Sequence, residues 1–166
     1  IDVSGQSFRA FMNGKLPGFE GQLPSMEDFE DHITTAFPEV RLKGHIEMRG
    51  ADSGSWGSIC ALPALWVGLL YDEESLNAAE ALVSGISAQQ VEAARLSALT
   101  DGLDGRFAGQ PMLAIARDMV TLSEAGLARR QITDSKGSDE TQYLNPLKEI
   151  VTTGKTNADI MLAHYN

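Results

Sequence analysis

Glu39-Val40-Arg41-Leu42-Lys43-Gly44-His45-Ile46-Glu47-Met48-Arg49-Gly50 decides how this chain is read. Every second residue belongs to one chemical class. Arg41, Lys43, His45, Glu47 and Arg49 fall on one side; Val40, Leu42, Ile46 and Met48 fall on the other. Successive side chains of an extended strand point to opposite faces. The pattern therefore predicts a strand with an aliphatic face on a hydrophobic core and a charged face turned outward. A helix would scatter the same charges and bury some without partners, which is costly. The charged face reads either as the solvated side of an antiparallel sheet or as a ligand-binding surface. The strand runs into Gly50-Ala51-Asp52-Ser53-Gly54-Ser55-Trp56-Gly57. Small residues there let a ligand approach the backbone, and Trp56 can supply a wall. A face of bases emptying into such a loop suits an anionic substrate, a phosphate or a carboxylate.

Composition narrows the alternatives. The chain has 166 residues, 43% of them hydrophobic and 22% charged, the balance of a globular domain with a core. Acids outnumber bases 23 to 13, for a net charge of −10. This argues against a nucleic-acid partner. The apolar run Ile59–Tyr71 is shorter than the ~20 residues a membrane-spanning helix needs, so no membrane span is expected. The single cysteine, Cys60, has no intrachain partner for a disulfide. With no leader segment in view, it points to a cytoplasmic setting.

The rest of the chain reads as helices. Ser7 is placed to cap a short helix carrying Phe8, Phe11 and Met12, and Ser25 to cap a helix from Met26 to Phe37 that Pro38 ends. Beyond Ser58, helices are expected to Tyr71, from Glu73 to Ser84, from Ser87 to Leu99, from Pro111 to Arg130, from Asn145 to Thr153 and from Thr156 to Tyr165. The polar stretch Gln131–Thr141 is expected to be mobile. The division expected is a strand-containing part over 1–57 and a helical part over 58–166. A lone strand leaves its backbone hydrogen bonds unpaired, so either further strands lie unrecognised in this sequence or the partners come from chain beyond these residues.

Glu47 and Arg49 lie two apart on one strand face. A carboxylate can hold Mg²⁺ together with phosphate oxygens, and a neighbouring guanidinium can clamp a phosphate or carboxylate. Together they make half of a phosphoryl-transfer site; the alternative is a surface ion pair. Arg41 and Lys43 add positive charge to that face. His45 is a candidate ligand or base, or simply solvated, and His32 and His164 have no metal-ligand spacing. The Gly50–Gly57 loop lacks the ending of a P-loop.

Longer strings carry a family resemblance. They are Phe37-Pro38-Glu39-Val40-Arg41-Leu42-Lys43, Ile46-Glu47-Met48-Arg49-Gly50-Ala51-Asp52 and the run from Cys60 to Asp72, preceded by Ile1–Gly5 and Ser7-Phe8-Arg9. They resemble the plant and proteobacterial type of glutamate–cysteine ligase, strongly over roughly the first 75 residues and loosely beyond. The resemblance implies an α+β fold: a small antiparallel sheet portion similar to glutamine synthetase, followed by a mostly helical C-terminal half. It implies an ATP- and Mg²⁺-dependent enzyme that joins glutamate to cysteine through γ-glutamyl phosphate, the first step of glutathione synthesis. In that frame Glu47 is a metal ligand, Arg49 is catalytic, and Arg41, Lys43 and Trp56 bind substrate. The family's other metal carboxylates precede this segment, so the resemblance makes it a C-terminal portion, inactive without the N-terminal part, and leaves a homo-oligomer open. The family's Gly-Gly-Pro-Trp followed by two arginines is replaced here by Ser53-Gly54-Ser55-Trp56-Gly57-Ser58. That change points to a related ligase with another amine acceptor as one alternative. A non-catalytic helical interaction domain is the other.

Overall fold

A computed structural model describes residues 3–42 and 44–165. The chain forms two compact units, 1–51 and 52–166.

The first unit opens with helix α1 (Phe8–Met12). The Ser7 side chain makes no capping bond; its backbone carbonyl accepts from Ala10 and Phe11 instead. Helix α2 (Met26–Thr34) begins with the expected Ser25 cap, completed by Asp28 as a reciprocal capping box. It ends before Phe37, because Thr34 and Thr35 turn their hydroxyls back onto the carbonyls of Asp31 and His32, and the residue before Pro38 is biased away from helix. Phe8 joins the two helices: its ring stacks on His32 at 4.1 Å between centroids and lies 6.0 Å from Phe29. His32 is thus a packing residue.

The stretch from 39 to 50 is two short strands, β1 (Val40–Leu42) and β2 (Ile46–Met48), paired antiparallel as a hairpin. The expectation of one continuous strand is corrected here. Gly44, at φ +70°, takes the left-handed conformation that reverses the chain. The strand therefore finds a partner within these residues, and a lone unpaired strand is no longer a reason to invoke missing chain. The alternation survives the reversal. Val40 faces Met48, Arg41 faces Glu47 and Leu42 faces Ile46, and directly opposed residues share a face. The burial of the two faces is the reverse of what was expected. Val40, Leu42 and Ile46 are 52–80% exposed, whereas Arg41 and Glu47 are half-buried. The physical reason is size: among the described residues of this unit Leu16 is the buried hydrophobic one, and so short a piece cannot cover both faces of a hairpin. Lys43 lies outside the described residues.

The second unit is helical: α3 (Trp56–Leu70), α4 (Glu73–Val83), α5 (Ala88–Asp101), α6 (Met112–Arg130), α7 (Asn145–Thr153) and α8 (Asn157–Tyr165). A minimal hairpin, β3 (Arg106–Phe107) with β4 (Gln110–Pro111), precedes α6. Capping boxes at Ser87/Gln90 and Thr156/Asp159 open α5 and α8. Helices α3 and α6 cross at glycines. A Cβ on Gly68 would lie 2.3 Å from the Ser123 carbonyl oxygen, and one on Gly126 would lie 2.0 Å from the Gly68 carbonyl oxygen. Ser123 Oγ donates to the Leu65 carbonyl at 3.0 Å and Ser75 Oγ to the Leu122 carbonyl at 2.8 Å. Around this seam Leu69, Leu127 and Leu144 are fully buried.

The segment Gln131–Thr141, expected to be mobile, is held by its own hydrogen bonds. Asp134 Oδ1 accepts from the backbones of Lys136 and Ser138 at 2.8 and 3.0 Å, Thr133 and Asp139 form a bridge, and Arg130 pairs with Glu140 at 3.0 Å. A polar composition was misleading because the polar groups satisfy one another locally. Among the described residues no helix is long and apolar enough to cross a membrane.

Candidate functional site

The hairpin positions the ionisable residues. Arg41 and Glu47 are opposed in the register, and Nε and Nη2 of the arginine each lie 2.8 Å from Glu47 Oε2. Both contacts fall on one carboxylate oxygen, so the pair is charge-assisted without being the two-oxygen fork. Arg41, expected to bind substrate, thus spends its charge on Glu47 in this structure.

Arg49 stands differently. It follows β2, and its backbone N–H donates to the Glu39 carbonyl at 2.7 Å, so the pairing continues one step past the strand. That keeps Arg49 on the face of Arg41 and Glu47. Its guanidinium carbon lies 5.0 Å from the centroid of the Phe37 ring, a cation–π contact. Nη1 is buried and has no hydrogen-bond partner. Beside it is a shallow cleft of about 260 Å³ lined by Phe37, Pro38, Glu39, Arg49 and Gly50. A buried guanidinium nitrogen without an acceptor is costly unless an anion completes it.

Trp56 is the first residue of α3 and is 78% exposed. Ser55 caps the helix by accepting from the Ser58 backbone. Trp56 belongs to the second unit, while Arg41, Glu47 and Arg49 belong to the first. His45 is exposed in the hairpin turn. The thiol of Cys60 is free and half-buried on α3.

For a metal, Glu47 offers the hard oxygen chemistry that Mg²⁺ takes. Among the described residues no cluster of three or more His, Cys, Asp or Glu is placed to hold one. In this structure the Glu47 carboxylate is engaged by Arg41.

Phe37 is the residue that sequence reasoning missed, having been taken as the end of the α2 stripe. The signal was the register: once Arg41 is opposed to Glu47, Glu39 is opposed to Arg49, and the residues before Glu39 come alongside the arginine.

The sequence model of Glutamate-cysteine ligase family 2 (GCS2) matches residues 4–166. The chain belongs to this family. Chloroplastic glutamate–cysteine ligases of Nicotiana tabacum, Solanum lycopersicum and Arabidopsis thaliana are 46%, 45% and 45% identical to this family member over 166 residues. Those 166 residues are all of this chain and 31% of each relative. The relatives' names place them in the chloroplast, which overturns the cytoplasmic expectation. A lone cysteine carries no information about compartment beyond redox state, and a plastid is compatible with it.

Proposed function

We propose that this chain is the C-terminal part of an ATP-dependent ligase, located in the plastid as its relatives are, that makes γ-glutamylcysteine from glutamate and cysteine. In the reaction, a γ-carboxylate oxygen of glutamate takes the terminal phosphoryl group of ATP and ADP leaves. The cysteine amine then attacks the γ-carbonyl carbon, phosphate leaves and the amine loses a proton. The observation that supports this best is the buried, unpartnered Nη1 of Arg49 on the same hairpin face as Glu47. Arg49 is the group we assign to the phosphoryl oxygens, where a fixed positive charge lowers the barrier as negative charge develops. Glu47 would serve as a metal ligand, with further carboxylates from the rest of the polypeptide. Bound Mg²⁺ would supply charge neutralisation at the phosphate oxygens. Trp56 would wall the substrate, Lys43 would add positive potential, and Arg41 would do so once Glu47 turns from it to the metal. We also assign the β1–β2 hairpin to a larger antiparallel sheet of the glutamine synthetase type.

The test is calorimetric titration of the full-length protein with Mg-ATP and glutamate, comparing wild type with Glu47→Ala and Arg49→Ala, alongside turnover. Binding and turnover unchanged in both variants would remove the assignment. The loop Ser53–Ser58, where small residues stand in place of the family's arginines, favours a second reading with a different amine acceptor. Phosphate release measured with a panel of amino acids separates the two. Equal rates with cysteine omitted and another amine present support the second reading.

A further inference from the structure

Two arginines of the hairpin have opposite electrostatic fates. Arg41 is taken up by a carboxylate, with both contacts at 2.8 Å to Glu47. Arg49 instead rests over an aromatic ring, 5.0 Å from the centroid of Phe37. A carboxylate orients a guanidinium and cancels its charge. A ring face orients it through the quadrupole and leaves its net charge and in-plane N–H donors available.

The local backbone holds this arrangement. Pro38 biases Phe37 toward an extended conformation and away from continuing α2. The backbone bond from Arg49 N–H to Glu39 O at 2.7 Å ties the two arms together beyond the last strand pair. Gly50 lets the arms close, since a Cβ there would press on Glu39 Cγ at 3.3 Å. The cleft beside Arg49 is lined by these same residues.

We propose that Phe37 is a positioning residue for Arg49: its ring face holds the guanidinium beside the cleft without neutralising it, so that its donors stay available for an anionic oxygen. This rests on the reading of Arg49 as the group that meets the phosphoryl oxygens. Phe37 itself touches no substrate. Its contribution is to the fraction of time Arg49 spends in the competent orientation, which appears in the chemical step.

The experiment uses the full-length enzyme and four sets of variants. Phe37→Leu keeps apolar bulk and removes the ring, Phe37→Trp keeps a ring, and Arg49→Gln removes the cation; the fourth set replaces Phe37 with phenylalanine carrying one, two or three ring fluorines. Phe37→Leu is expected to lower kcat about threefold to tenfold with KM for glutamate unmoved, and Phe37→Trp to restore most of it. Each added fluorine should lower kcat further, because fluorine weakens the ring quadrupole at nearly constant size, a trend that packing alone does not produce. In the Arg49→Gln background, Phe37→Leu should cost nothing more. A wild-type rate in Phe37→Leu, no fluorine trend, or full additivity with Arg49→Gln would overturn the proposal. If Phe37→Leu fails to fold, the fluorine series decides alone. Loss of activity in Arg49→Gln without any response at Phe37 rejects only the positioning role; full activity in Arg49→Gln rejects both that role and the reading of Arg49 beneath it.

Discussion

Arg41 and Glu47 meet across the β1–β2 hairpin, six residues apart in the chain, with both contacts of the guanidinium at 2.8 Å to one carboxylate oxygen. The pair is half-exposed, so water screens it and its worth is modest. A double-mutant cycle of Arg41→Gln and Glu47→Gln, read by denaturant unfolding, is expected to give a coupling of about 0.5–1 kcal/mol. Strict additivity would mean that the hairpin holds its register by its backbone bonds alone.

The crossing of α3 and α6 leaves no room for a methyl group. Gly126→Ala would set a Cβ 2.0 Å from the Gly68 carbonyl oxygen, so the helices must part. The expected loss is about 3 kcal/mol or more, seen as a large drop in thermal midpoint. Gly85→Ala is the control: the space there is open and only the positive φ of +76° is strained. It should cost about 1 kcal/mol. Equal costs at the two sites would refute the close crossing.

Asp72 ties α4 to α6. It caps α4 by accepting from the Ser75 backbone at 2.9 Å and takes the Arg129 fork at 2.6–3.1 Å. The Arg129 hydrogen bonds, followed by the Ser75 N–H, hold its carboxyl well below the ordinary value of 3.8. A lowered folded value means that the unfolded state binds the proton more readily. The stabilisation is therefore fully present above about pH 4 and is lost as pH falls from there through the folded value. Acid unfolding of Asp72→Asn should show a shallower decline over that range than wild type. Parallel curves would remove Asp72 from the acid response.

On the aliphatic side of the hairpin Val40, Leu42 and Ile46 are exposed and Met48 is part-buried. Leu42, 80% exposed, should tolerate Leu42→Ser with a stability change within about 0.5 kcal/mol in the 166-residue protein. The same change should reduce self-association seen by sedimentation, since exposed apolar patches are sticky. In the full-length protein it should destabilise by about 2 kcal/mol, provided the remaining chain covers this face. A large loss already in the 166-residue protein would contradict the exposure.

Local signals read well. Ser25 with Asp28, Ser87 with Gln90 and Thr156 with Asp159 are capping pairs three residues apart, and each opens a helix where its spacing predicts. The parity of residues 40–48 also survived, because a period of two persists through an antiparallel reversal when opposed residues share a face. What was misread depended on neighbours remote in sequence. Gln131–Thr141 looked mobile because its polar groups were counted without their partners, above all Asp134 with the backbones of Lys136 and Ser138. The placement of Phe37 under Arg49 needed the hairpin register, which one strand's pattern does not contain.

Sequence alone determined the starts of α2, α5 and α8, the two-sided character of residues 39–50 and, through long consecutive strings, the family. These depend on side chains within a few positions of one another, or on identity itself. Tertiary structure decided that Gly44 folds the stretch back on itself, that Glu47 takes Arg41 while Arg49 takes a ring, and that Gly68 and Gly126 let two helices touch. Each of those is a contact between groups brought together by chain reversal, and its energy depends on distances that exist only once the chain has folded.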